Sequence, residues 1–436
     1  MRWRSPDDRA ILALAVPALG TLAADPLVSL VDTAFVGRLG TLELAALGVN
    51  TAVFSLAFLV FNFLAYGTTP LVARALGQNR RDEAGRVIVQ ALFLALAVGV
   101  AALITIQLFA VPILTIMGAD DDLRDPALAY LRIRALAGPA VLLITAGNGA
   151  FRGFQDTTTP FWITLGLNVV NLVLDPLLIF GFGWGLAGAA IATTIAQWLG
   201  ALGFWLLLLG PQRERFGIVL VWPRLAEFRP FLRIGWALAL RTVALLLTLT
   251  LATAVATRLG ARAVAAHQVA AQLWLFLALV VDALAIAAQA LVAKYVGEGE
   301  QGRARAVANR LLFWGLAVGI ALGVAFALAA PWLPRLFTDQ PEVIRTVLLV
   351  FPFVALMQPL NALVFVWDGV FMGAEDFGYL ARAMITSAVA GSAVLLLVVP
   401  LGWGLSGVWW GLVVLMVVRA LTLAWRYWRP GGLLRT

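Results

Sequence analysis

The chain is a succession of long apolar runs broken by short charged or Gly/Pro-rich stretches. The runs fall near 10–37, 44–73, 87–117, 126–150, 160–182 and 186–210, then near 231–258, 264–293, 306–334, 342–372, 378–400 and 404–425. Each is long enough to cross ~30 Å of hydrocarbon at ~1.5 Å per residue. The pattern predicts an all-α polytopic membrane protein with twelve transmembrane helices. The first run continues past Asp25 to Val36 without a compact core and a small-residue cleavage site, so it reads as a span and not as a signal peptide.

The pattern also repeats. Leu71-Val72-Ala73-Arg74 returns as Leu291-Val292-Ala293-Lys294, and Arg38-Leu39-Gly40 as Arg258-Leu259-Gly260, each 220 residues on. Gly149-Ala150-Phe151-Arg152-Gly153 with Asp156 matches Gly369-Val370-Phe371-Met372-Gly373 with Asp376 at the same offset. Gly183-Trp184-Gly185-Leu186 matches Gly402-Trp403-Gly404-Leu405 at 219. An offset spanning six helices makes both halves enter the membrane the same way. The expected architecture is two six-helix lobes related by a pseudo-twofold axis, a parallel-repeat transporter plan. The lobes are 1–210 and 231–436, with a basic cytoplasmic linker at 211–230.

Composition narrows the chemistry. Hydrophobic residues make up 62% of the 436 and charged residues 12%, which excludes a soluble enzyme or binding module. With no cysteine and one histidine, His267, thiolate sites, disulfides and multi-imidazole zinc sites are impossible. A lone histidine near the start of span 8 reads mainly as a polar packing or cap residue.

The net charge is +8, but the basic residues sit in short loops, so no nucleic-acid partner is expected. With the N-terminus inside, inner segments hold 21 basic residues, among them Arg2, Arg4 and Arg435, against 6 in outer segments. The charge bias therefore places both termini in the cytoplasm, with the chain multi-pass in a plasma or inner membrane. The run Asp120-Asp121-Asp122 then reads as a solvated outer loop.

Carboxylates inside spans are expensive, roughly 2.5–3.5 kcal/mol each at the bilayer centre. Asp25, Asp32, Asp175, Asp282 and Asp368 are such residues. The repeat supplies an internal comparison. Asp25, Asp32 and Asp175 correspond to Leu245, Ala252 and Leu395, whereas Asp282 and Asp368 correspond to Asn62 and Asn148. Asp25, Ser29 and Asp32 share one helical face, as do Asn168, Asn171 and Asp175, and Thr193 and Gln197. These stripes are expected to line one polar cavity with oxygen and amide groups suited to a proton or Na⁺. Pro26 should bend span 1 and act as a hinge. Asp175, just before Pro176, reads alternatively as a helix cap. Arg241 is expected to pair with Asp282 or Asp368, or to bind proton or substrate directly.

The same residues resemble the multidrug and toxic compound extrusion (MATE) family. The segment Val31-Asp32-Thr33-Ala34-Phe35-Val36-Gly37-Arg38-Leu39-Gly40 is similar to the first-helix signature of the DinF-like branch. Phe151-Arg152-Gly153-Phe154-Gln155-Asp156, Asn171-Leu172-Val173-Leu174-Asp175-Pro176 and Ala265-Ala266-His267-Gln268 resemble other family motifs. Arg241, Asp282 and Asp368 look like branch features.

The resemblance implies a cation-coupled exporter of the MOP superfamily. Asp32, Asn171, Asp175 and Thr193, with Tyr130, would then carry proton or Na⁺ coupling, and Na⁺ would bind at Asp32, Asn171, Asp175 and Thr193. Asp25, Arg241, Asp282 and Asp368 would be secondary coupling or substrate residues. Other branches carry an acid where this chain has Asn361. Asp25-Pro26 is closer to plant and cyanobacterial members, some of which move organic anions such as citrate.

The expected function is an antiporter, not an enzyme, exporting amphipathic or cationic organic compounds by alternating access in exchange for H⁺ or Na⁺. It would act as a monomer in the lipid bilayer, with no cofactor. An organic-anion exporter or a lipid-linked flippase shares this architecture; an intramembrane aspartate enzyme is the reading from another class.

Overall fold

A computed structural model describes residues 7–119, 121–429 and 431–434; Arg2, Arg4, Asp120 and Arg435 of the charge reading lie outside them. The helices are α1 (Asp7–Gly37), α2 (Thr41–Leu59), α3 (Phe63–Gly77), α4 (Arg81–Ile116), α5 (Asp121–Ala135), α6 (Gly138–Gly153), α7 (Thr158–Pro176) and α8 (Gly185–Leu209). They continue as α9 (Arg229–Arg258), α10 (Ala261–Gly297), α11 (Gln301–Ala329), α12 (Pro341–Leu356), α13 (Gln358–Gly373), α14 (Phe377–Val398) and α15 (Gly404–Trp428).

Among the described residues ten helices are long and apolar enough to cross a membrane, and two bent pairs bring the number to twelve. The pairs are α5–α6, bent by 45°, and α12–α13, bent by 48°. Continuous spans were expected at 126–150 and 342–372. Both break because Pro139 and Pro359 stand in the first turn of the second helix, where no N–H is available to continue the first. Asp121 and Asp122 also depart from the loop expected there. They open α5, and a carboxylate such as that of Asp122 favours the positive end of the helix dipole. α1 runs as one helix through Pro17 and Pro26.

The repeat is legible in the helix limits. α6 and α13 are offset by 220 residues, and α8 and α15 by 219. The left-handed residues Asn79 and Gly299, and Gln155 and Glu375, close helices at the same offset. One pair departs from symmetry. α10 is continuous over 261–297, whereas its counterpart, 41–77, is split by a 3₁₀ turn at Val60–Asn62. The split ends at the residue equivalent to Asp282.

The chain forms two compact units. One is Val16–Gly235; the other is Trp236–Thr436 together with Met1–Ala15. Each boundary falls inside a helix, α1 or α9. Within the second unit, Asp8 accepts from Arg310 Nε (2.7 Å) and Nη2 (2.8 Å) and from Trp314 Nε1 (2.9 Å), so the start of α1 is tied to α11.

The repeated Gly-x-x-x-Gly segments are packing seams. A Cβ on Gly149 would stand 2.9 Å from the Ala65 carbonyl oxygen on α3. A Cβ on Gly369 would stand 2.2 Å from the equivalent oxygen, that of Ala285 on α10. Only a residue without a side chain lets these backbones approach so closely. Gly369→Ala is expected to force α10 from α13 and cost about 1–3 kcal/mol. Thermal unfolding in detergent checks this; Gly149→Ala, with its longer contact, should lose less.

Candidate functional site: a polar cavity in Val16–Gly235

A cavity of about 320 Å³ lies among α1, α2, α5, α6, α7 and α8. Each helix that contributes polar groups does so through one stripe. α1 brings Asp25, Ser29 and Asp32; α5 brings Tyr130 and Arg134, four residues apart; α7 brings Asn168 and Asn171; α8 brings Thr193 and Gln197. Thr51 and Ser55 of α2 complete the polar wall.

The contacts follow helix by helix. Asn168 Nδ2 donates to Asp25 Oδ1 at 3.2 Å, so one amide holds a carboxylate that is otherwise exposed to the cavity. Asn171 Nδ2 reaches Thr193 Oγ1 at 3.4 Å, and that hydroxyl donates to the Ala189 carbonyl at 2.9 Å.

Asp175 sits behind the wall with no exposed surface. Its carboxyl group faces that of Asp32 at hydrogen-bond range. Neither Asp175 oxygen, nor Oδ1 of Asp32, has a donor. That removes the capping alternative for Asp175, since a cap would accept a backbone N–H. Two ionised carboxylates are acceptors only. A donor between two such groups has to come from outside them. A π-helical turn, Leu177–Gly181, follows immediately, and such turns often mark functional positions.

Arg134 is a residue the sequence reading missed. It lies half-buried in the cavity wall, 5.2 Å from the centre of the Phe54 ring and beside Tyr130, Asp25 and Asp32. Its repeat counterpart is Val354, and that of Tyr130 is Val350. The unmatched valine is the signal in the sequence that marks Arg134.

The other intramembrane charges gather in the second unit. Arg241 Nη2 lies 2.5 Å from Asp368 Oδ2. Arg419, also unmarked by the sequence reading, meets the same oxygen from α15. Of the two partners expected for Arg241, Asp368 is thus seen in contact. Asp282 stands half-buried on α10. Buried His267 lies in the second turn of α10, with Thr253 Oγ1 3.5 Å from Nε2 and its ring edge-on to Trp409 at 6.0 Å. Asn361 is buried, with Oδ1 lacking a donor. Among the described residues no three His, Cys, Asp or Glu side chains converge as a metal cluster.

The MatE family model matches residues 17–177 and again residues 237–397. The chain belongs to the MATE family of membrane transporters. The two matches stand 220 residues apart, the offset of the internal repeat. This MATE transporter is 40% identical over 430 residues to the chloroplastic Protein DETOXIFICATION 44 of Arabidopsis thaliana, covering 95% of the chain and 81% of the relative. It is 30% identical over 449 residues to DNA damage-inducible protein F of Escherichia coli (strain K12), covering 99% of the chain and 95% of the relative. The crystal structure of a MATE protein in the bent conformation superposes with a TM-score of 0.90 at 23% identity, covering 97% of this chain and 95% of that one, which shows the shared fold. The chain is thus a multi-pass membrane transporter, and its DinF resemblance stands.

Proposed function

We propose that this MATE transporter is a proton-coupled antiporter that exports amphipathic, cationic organic compounds by alternating access. The observation that supports this reading is the carboxyl pair Asp32–Asp175, three of whose four oxygens have no donor, beside an amide- and hydroxyl-lined cavity. A proton entering the pair supplies the missing donor, removes a negative charge from the cavity and weakens the hold on a cationic substrate. Its departure restores the charge. Coupling arises because the proton and the substrate favour different states of the transporter. Asn171 and Thr193 position the pair, Asp25 offers a second carboxylate to the substrate, and Pro26 serves as the hinge in α1.

Na⁺ at Asp32, Asn171, Asp175 and Thr193 is the alternative coupling ion, since all four offer oxygen ligands. Arg134 favours a second substrate reading, an organic anion held by its guanidinium. We place the protein as a monomer in the cell membrane with both termini cytoplasmic, the repeats 1–210 and 231–436 working as lobes about the 211–230 linker.

Counterflow in proteoliposomes, with pH and Na⁺ gradients imposed separately, tests these readings. A pH gradient alone should drive uptake of an organic cation. Uptake driven only by Na⁺ would reassign the ion, and citrate uptake without cation uptake would reassign the substrate.

A further inference from the structure

The segment between α8 and α9 is no slack tether. Phe216 is fully buried, its ring 5.0 Å from that of Phe151 and 3.9 Å from that of Phe154. Gly217, at φ +61°, lies so close to α4 that a Cβ on Gly85 would stand 1.9 Å from its carbonyl oxygen. Further along, Gln90 Nε2 donates to Glu227 at 3.1 Å, and the Phe93 and Trp222 rings meet edge to face at 4.9 Å. The stretch 218–228 is therefore held firmly on α4.

What it presents is apolar. Trp222 is 80% exposed and Leu225 90%, with Val219, Leu220 and Val221 all more than half exposed. Packing that fixes a backbone while leaving such side chains outward suits a second medium, not water. Beneath it runs a groove of about 390 Å³, lined by Phe93, Trp198, Trp205, Leu209 and, from the segment itself, Leu220. Arg224 in the segment, and Arg229 and Arg233 in the first turns of α9 that follow it, stand exposed, the last two one helical turn apart.

We propose that residues 218–233 form an interfacial anchor for an anionic phospholipid of the leaflet facing the segment. Trp222 and Leu225 sink to the headgroup boundary, an acyl chain fills the groove, and the arginines take the phosphate. Tryptophan favours that depth. Guanidinium groups bind phosphate in a fixed fork geometry. Each basic residue near an anionic surface is worth roughly fivefold in affinity.

The absence of cysteine makes the test direct. A nitroxide on Leu225→Cys is compared with one on Gly302→Cys, in the exposed first turn of α11, in vesicles of phosphatidylcholine with and without phosphatidylglycerol. The label at 225 should relax with oxygen and be shielded from a water-soluble nickel chelate; the label at 302 should show the reverse. The triple variant Arg224→Gln/Arg229→Gln/Arg233→Gln should retain at least about fivefold less phosphatidylglycerol by native mass spectrometry. Equal nickel access at 225 and 302, or unchanged retention, overturns the proposal. Shielding that rises with the protein-to-lipid ratio also overturns it, by assigning the face to a second copy.

Discussion

Asp32→Asn is expected to leave the protein folded and membrane-inserted while reducing gradient-driven exchange to background. The substitution keeps the side chain's size. Its new amide can donate to Asp175, whose oxygens lack a donor, so the contact gains what an ionised pair lacks. In the proposed proton-coupled cycle, what is lost is the ability of this group to take up and release a proton. The variant mimics a permanently protonated residue and should halt a cycle that needs both forms. Proteoliposome uptake under an imposed pH gradient reads the loss; size-exclusion and melting profiles matching wild type show that it is not unfolding. Ser29→Ala, on the same stripe but outside the carboxyl pair, should retain most of the rate. Wild-type exchange by Asp32→Asn would remove the pair from the mechanism.

The largest stability loss is expected from Asp368→Ala. Arg241 and Arg419 converge on one oxygen of this carboxylate, and the side chains of Asp368 and Arg419 are each only 3% exposed. Removing the anion leaves two guanidinium groups facing each other with their shared partner gone. Breaking a buried pair from one side costs about 3–5 kcal/mol, because the surviving charge stays desolvated. That corresponds to a fall in melting temperature on the order of 5 °C. Adding Arg419→Met should recover part of the loss by removing one of the stranded charges. A melting curve in detergent for the single and double variants decides this. If the double variant melts below the single one, Arg419 contributes through packing and not through charge.

The cavity was legible because its residues obey helical periodicity. Asp25–Ser29–Asp32 and Asn168–Asn171–Asp175 are single-face stripes, and the repeat marks their acids as unmatched. The closeness of Asp175 to Asp32 was not legible, since it depends on how α7 packs against α1. Arg134 and Arg419 are hidden in the sequence because arginines near the ends of apolar runs pass for loop charges that set orientation. Their counterparts, Val354 and Gly200, carried the missing signal. The bends at α5–α6 and α12–α13 escaped because an apolar run reports on solubility in lipid and not on continuity of backbone hydrogen bonds. Pro139 and Pro359 held that information. The linker read as a basic connector because the seat of Phe216, and the approach of Gly85 to Gly217, are long-range facts.

Both boundaries between the compact units fall inside helices, and each has a residue that weakens a helix. Pro17 lies one residue past the boundary in α1, and Gly235 ends the first unit's share of α9. A proline offers no N–H, so a bend at Pro17 breaks no hydrogen bond that was not already forgone when the helix formed. Glycine gives α9 the backbone freedom to curve. Flexure at these points therefore has a low elastic cost, and it is built into two long helices, α1 and α9. Pro17 and Pro26 lie in the same uninterrupted helix as Asp25 and Asp32, with no loop between them.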